Sequence, residues 1–174
     1  MSQERLLRLR AAWWRDGQCV VFTNGVFDLL HVGHLRYLRA ARALGDLLVV
    51  GLNDDASAAR LKGPARPLVP AGERAELLAA LDAVDYVTLF REDTPAALIT
   101  ALKPDVYVKG GDYAAGPGEP GKPLPEATIV RGYGGAVCTI PYLPGHSTTA
   151  LIERARGGGA PPTGDGARDG ESGR

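Results

Sequence analysis

Two of the chain's three histidines stand three residues apart, at the end of the run Thr23-Asn24-Gly25-Val26-Phe27-Asp28-Leu29-Leu30-His31-Val32-Gly33-His34. Side chains at that spacing share one face of a helix, so His31 and His34 can point at a common target. Paired imidazoles can donate hydrogen bonds to phosphate oxygens whose negative charge grows during a reaction. Gly33 between them has no side chain, which lets an anion approach the backbone closely. The unpaired amides and positive end of a helix that starts here favour the same anion. One bland alternative is a helix cap with two half-buried histidines. Another is a metal pair, but it lacks a third ligand and a His-Glu-x-x-His pattern, so no protein metal ligand is predicted.

Other residue groups could serve the same chemistry. In Lys109-Gly110-Gly111-Asp112-Tyr113 the glycines permit a tight turn, while Lys109 and Asp112 could bind phosphate and sugar hydroxyls. The competing reading is a glycine turn with solvated charges. Ser147-Thr148-Thr149 opens a helical segment, and its hydroxyls and amides could hold phosphates; a plain cap needs only one of the three. Lys62 begins the proline-rich stretch 62–70, and a lysine there can close over a polyphosphate as a point charge. Arg74 could reach the same rim or pair with a nearby glutamate. Asp28, Asn53 and Asp54 could meet ribose or substrate hydroxyls. The role of His146, beside the Ser-Thr-Thr run, stays open.

These groups need a scaffold. Apolar residues at helical spacing predict a helix over 2–16, with Ser2 as cap and Arg5, Arg8, Arg10 and Arg15 on the wet face. Cys19–Thr23 reads as a first buried strand, broken by Asn24-Gly25. A helix follows from Gly33 to Leu44, then a second strand over 46–52. Asn53-Asp54-Asp55 can cap a short helix, and Ala71–Leu81 is a further one. The third strand is 85–90, Asp93 caps a helix to Leu102, and Val106–Val108 is the fourth strand. A short helix over 125–131, a fifth strand over 136–140 and a last helix from Ser147 to about Arg156 complete the order. Five alternations of strand and helix predict an α/β fold: a Rossmann-like, doubly wound, five-stranded parallel sheet in a single domain. Ligands in such sheets bind beyond the carboxyl ends of the strands, where every candidate group above falls. The expected division is a helix over 1–17, a catalytic domain over 18–156 and a disordered tail over 157–174, which is rich in glycine and poor in apolar residues.

Composition excludes some classes. Twenty basic residues balance twenty acidic ones among 174, so no general nucleic-acid binder is expected. No apolar run approaches a membrane span and no signal-peptide segment is visible, which predicts a cytoplasmic protein. Two cysteines, Cys19 and Cys138, are too few for a disulfide framework or a zinc site and are read as buried strand residues.

The run ending His31-Val32-Gly33-His34 resembles the HxGH nucleotidyltransferases of the cytidylyltransferase-like family, and the likeness extends from about Val20 to Ala155. Arg60-Leu61-Lys62-Gly63, Arg66-Pro67, Glu73-Arg74, Glu92-Asp93-Thr94-Pro95, Val108-Lys109-Gly110-Gly111-Asp112-Tyr113 and Ser147-Thr148-Thr149 are similar to one branch, the adenylyltransferases of heptose 1-phosphate. That branch implies ATP plus D-glycero-D-manno-heptose 1-phosphate giving ADP-heptose and pyrophosphate, with Mg2+. It often occurs fused to a kinase half that this chain lacks, which implies a separate heptose kinase; a homodimer is plausible from the family alone. Residues and resemblance together assign His31, His34, Lys62 and Thr23 to catalysis. Asn24, Gly25, Phe27, Gly33, Asn53, Asp54, Arg74, Ser147, Thr148 and Thr149 are assigned to the nucleotide. Asp28, Lys109, Gly110, Gly111 and Asp112 are assigned to the sugar phosphate. The rivals are a cytidylyltransferase for glycerol 3-phosphate or a similar alcohol phosphate, and a non-catalytic nucleotide-binding module. A dehydrogenase is disfavoured because no G-x-G-x-x-G follows the first strand.

Overall fold

The computed structural model describes residues 1–111, 113, 121–141, 143 and 145–157. Asp112 lies outside these residues, as does the predicted tail from residue 158 onward. The element order is α1 (Gln3–Arg15), β1 (Val20–Gly25), α2 (Val32–Arg42), β2 (Leu47–Asn53), α3 (Asp55–Lys62), α4 (Ala71–Ala79), β3 (Tyr86–Phe90), α5 (Ala96–Leu102), β4 (Val106–Gly110), α6 (Glu126–Gly132), β5 (Ala136–Ile140) and α7 (Thr148–Gly157). Gly157, expected to open the tail, instead closes the last helix.

All five strands are parallel, in the order β3-β2-β1-β4-β5. The order reverses between β1 and β4, which pair through Val21–Val106, Phe22–Tyr107 and Thr23–Val108. This is the switch point at which a doubly wound sheet opens a crevice. Alternating side chains fill two cores. Val20, Phe22 and Val49 face α1, α5 and α6 with Leu6, Ile99 and Val130. Val21, Leu48, Val50 and Leu52 face α2 and α4 with Leu38 and Leu78. Gly51 leaves room for the Phe22 ring, because a Cβ there would sit 2.7 Å from Cζ.

Four expectations change. β1 runs on through Asn24 and Gly25 rather than stopping at Thr23, since Asn24 and Gly25 stay in register with Gly51 and Leu52. Arg10 is buried, not on the wet face of α1; its guanidinium donates to the carbonyls of Leu102 (3.1 Å) and Lys103 (2.9 Å) and to both Asp105 oxygens (3.2 Å). Asp93 does not cap α5, whose N-cap is Pro95, but accepts from Arg60 Nε at 2.7 Å. Cys19 precedes β1, and both cysteines are half-buried and free rather than core residues.

The N-terminal edge of the sheet is closed by carboxylates. Asp46 accepts from the Cys19 amide, Asp85 from the Leu48 amide and Asp105 from the Val20 amide, each at 2.8 Å. Each carboxylate satisfies a backbone amide at or just before the start of a strand.

Candidate active site

β1 delivers its last residues to the switch point, and the chain then turns sharply. Phe27 takes a left-handed backbone conformation (φ 46°), rare for a bulky residue and worth about 1–2 kcal/mol of strain. The turn folds its ring back over Gly25, where a Cβ would lie 3.0 Å from Phe27 Cε2. The same ring meets the edge of His34 at 5.4 Å between centroids. Gly25 and Phe27, both assigned to the nucleotide, therefore build the floor beneath the histidines.

His31 stands at the N-cap of α2 in extended conformation and His34 lies within the first turn. Their rings stack at 3.9 Å with planes 25° apart. The Nδ1 atoms of both are buried without a hydrogen-bond partner. Burial, reinforced by the neighbouring ring of His31, pushes His34 down to about 4, and burial with the charge of His146 also lowers His31. His34 is therefore neutral at pH 7, and an arriving anion would restore its basicity. Unsatisfied buried ring nitrogens are uncommon in native proteins and point to a function outside the fold itself. Gly33 is covered by His31, whose Nδ1 lies 2.9 Å from the place of a Cβ, and by the Cβ of His146 at 3.2 Å, so only a residue without a side chain fits there.

β4 brings the second cluster. Lys109 Nζ donates to Asn24 Oδ1 at 3.0 Å, and Tyr107 Oη donates to the same oxygen at 2.9 Å. The ammonium also lies 5.5 Å from the Tyr113 ring centroid. Burial draws Lys109 down to about 8; the Glu126 carboxylate opposes this, and Lys62 adds to it. That mutual influence puts Lys62, the exposed last residue of α3, within electrostatic reach of Lys109. Gly110 ends β4 and Gly111 turns with φ 107°, its amide bound to the Ile140 carbonyl at 2.9 Å. Ser147 stands before α7, and its carbonyl accepts from the Leu151 amide at 3.0 Å; Thr148 and Thr149 form the first turn.

Several assigned residues have work inside the fold. Thr23 is fully buried, and its hydroxyl lies 2.6 Å from Tyr37 Oη, which in turn donates to the Val108 carbonyl at 3.2 Å. From this position it ties α2 to the β1–β4 seam. Arg74, also fully buried, donates to the carbonyls of Val26, Asn53 (3.0 Å) and Val69 (2.8 Å) and to the Asp55 carboxylate (2.7 Å). With its nitrogens so engaged, it clamps the walls of the crevice. The buried Asp28 carboxylate accepts from Arg66 Nε and from the amides of Leu68 (2.8 Å) and Val69 (2.9 Å), and these bonds lower its pKa. Asp28 thus ties the 63–70 loop down. Asn53 is buried against Ser57 Oγ at 3.2 Å, and Asp54 caps α3 through the Ser57 amide at 2.8 Å. All five fall inside or beside the site, but as supports.

Tyr37, Tyr107 and Glu126 were not singled out from the sequence. Tyr37 had a signal, since it continues the three-residue spacing of His31 and His34 along α2. Tyr107 and Glu126 had none, because their roles depend on which strand lies beside which.

A cytidylyltransferase-like family model matches residues 22–154. The chain belongs to the cytidylyltransferase-like family. Among relatives, the bifunctional protein HldE of Trichlorobacter lovleyi is 58% identical over 153 residues, covering 88% of this chain and 30% of that protein. HldE of Rhodopseudomonas palustris is 54% identical over 152 residues, with 87% and 30% covered. The chain thus spans about 30% of the length of these relatives. Among solved structures, a lipopolysaccharide core biosynthesis protein from Thermoplasma volcanium superposes with TM-score 0.56 at 30% identity, covering 73% of this chain and 98% of that one. Pantoate-beta-alanine ligase from Francisella tularensis, complexed with beta-gamma ATP and beta-alanine, shares the fold alone: TM-score 0.53 at 12% identity, with 80% and 65% covered. The family match spans both the histidine pair on α2 and the Ser-Thr-Thr run on α7. Among the described residues, no helix is long and apolar enough to cross a membrane.

Proposed function

We propose that this domain transfers AMP from ATP to a sugar 1-phosphate, D-glycero-D-manno-heptose 1-phosphate, releasing pyrophosphate and giving ADP-heptose. The observation that carries the reading is the stacked pair His31 and His34, with buried unpartnered nitrogens, at the N-terminus of α2 beside the β1–β4 switch point. The Lys-Gly-Gly run on β4, the HldE relatives and the lipopolysaccharide core protein support the heptose branch.

An oxygen of the sugar phosphate attacks the α-phosphorus of ATP in line. The new O–Pα bond forms as the bond from Pα to the bridging oxygen breaks, and that oxygen leaves with pyrophosphate. The attacking phosphate is already anionic, so no protein nucleophile is needed. The protein's task is to bring two polyanions together and stabilise charge at the α-phosphate. His31 and His34 serve that phosphate and the leaving group, Lys109 holds the acceptor phosphate, and Lys62 with Ser147–Thr149 holds the triphosphate. Mg2+ would accompany ATP and would offset charge on the triphosphate that Lys62 and Ser147–Thr149 hold. A sugar kinase must install the acceptor's phosphate, and the reading assigns the reaction to the cytoplasm.

A pyrophosphate-release screen of the four nucleoside triphosphates against both anomers of heptose 1-phosphate and against glycerol 3-phosphate tests this. ATP with one heptose anomer is the expected pair. CTP with glycerol 3-phosphate would move the chain to its rival branch. ATP binding without release from any acceptor would make it a non-catalytic module.

A further inference from the structure

His146 enters none of the roles above, yet it completes a cluster. All three histidines of the chain meet at this one edge of the sheet, two from the start of α2 and the third from the loop after β5. The two ring pairs differ in what fits between them. His31 and His34 are in contact at 3.9 Å, so nothing can enter. His31 and His146 stand 6.5 Å apart between centroids, with planes 47° apart. Two N–H···O bonds of about 2.8 Å, plus the ring radii, span roughly 6–8 Å, so one anionic oxygen fits that gap. Both residues pack on Gly33, whose missing side chain lets them come close: a Cβ there would lie 2.9 Å from His31 Nδ1 and 3.2 Å from His146 Cβ.

We propose that His146 is a third phosphate-binding imidazole, gripping the leaving β,γ-phosphates of the nucleoside triphosphate together with His31. The proposal rests on the nucleotidyltransferase reading and names a residue for its leaving-group side. Position favours these phosphates, because Ser147–Thr149, assigned to the triphosphate, follow His146 directly. The free enzyme agrees: the charge of His146 lowers the basicity of His31, a repulsion that a polyanion between the rings would convert into attraction. The loop places the ring through the His146 amide, which donates to the Leu143 carbonyl at 3.2 Å.

The test uses the full chain and its His146→Ala and His146→Gln variants, with calorimetric titration of MgATP and of magnesium pyrophosphate beside steady-state kinetics. His146→Ala is expected to weaken both ligands about tenfold, the scale of one charge-assisted hydrogen bond, and to raise KM for ATP more than it lowers kcat. His146→Gln, which keeps a donor, is expected to recover most of the affinity and guards against a folding defect in the alanine variant. Unchanged affinity for both ligands in His146→Ala would overturn the proposal. Titration needs no sugar acceptor, so a wild type that binds ATP without turnover would fail the parent reading while still deciding the role of His146.

Discussion

At the N-terminal edge of the sheet, three carboxylates meet three backbone amides at 2.8 Å, and Arg10 is locked between Asp105 and two carbonyls. At the C-terminal edge, two imidazoles keep buried nitrogens unpartnered and a lysine is drawn down to about 8. Both edges hold buried polar groups, but one is arranged so that the fold satisfies them and the other so that a visitor must. Among the described residues the exception at the first edge is Arg10 Nη1, which has no hydrogen-bond partner; the guanidinium lies 5.1 Å from the Trp14 ring instead. Unmet polar groups weaken a fold, so their concentration at the switch point marks where stability has been traded for binding.

If the edges divide in this way, substitutions should separate activity from stability. His34→Ala is expected to lower kcat by about a hundred- to ten-thousandfold in a pyrophosphate-release assay. The melting temperature should hold or rise, since an unsatisfied buried group is removed. An equal loss of kcat and stability would erase the distinction. Asp105→Ala should do the converse. It strips a partner from buried Arg10 and leaves the Val20 amide unpaired, so unfolding should become easier by about 2–3 kcal/mol. The melting temperature should fall by about 5–10 °C with kcat per folded molecule unchanged. Thermal denaturation followed by circular dichroism reads this.

A smaller effect sharpens the comparison through pH. Lys109, at about 8, is charged below that pH and loses its proton as pH rises through it. If the ammonium holds the acceptor phosphate, kcat/KM for that substrate should fall about tenfold between pH 7 and pH 9. Lys109→Arg, which keeps its charge throughout, should flatten that limb. A limb unmoved by the substitution would assign the titration to another group.

Much of this was legible in the sequence, for identifiable reasons. Five parallel strands follow from apolar runs alternating with helical periodicity, and the site's position follows from the rule for strand ends. His31, His34 and Lys109 could be read because their spacing and glycine neighbours announce anion chemistry. Thr23, Asp28 and Arg74 were drawn to the ligand because they sit in the same motifs, yet their side chains turn inward to hold Tyr37, the 63–70 loop and the carbonyls around the crevice. A motif tells which residues act together; it does not tell which face the ligand and which face the fold. Arg10 misled for a related reason. Its place on α1 looked wet until α5 and Asp105, about ninety residues away, closed over it.

The central claim is that phosphate meets the imidazoles of α2. Two-dimensional 15N–1H spectra of the histidine side chains, recorded on the full chain with and without MgATP, address it directly. The ring nitrogens of His31 and His34 should shift on ATP addition, with Nδ1 or Nε2 moving toward the protonated range, while backbone amides beside Asp46 and Asp105 stay in place. Saturating ATP binding that leaves both rings unmoved would contradict the account.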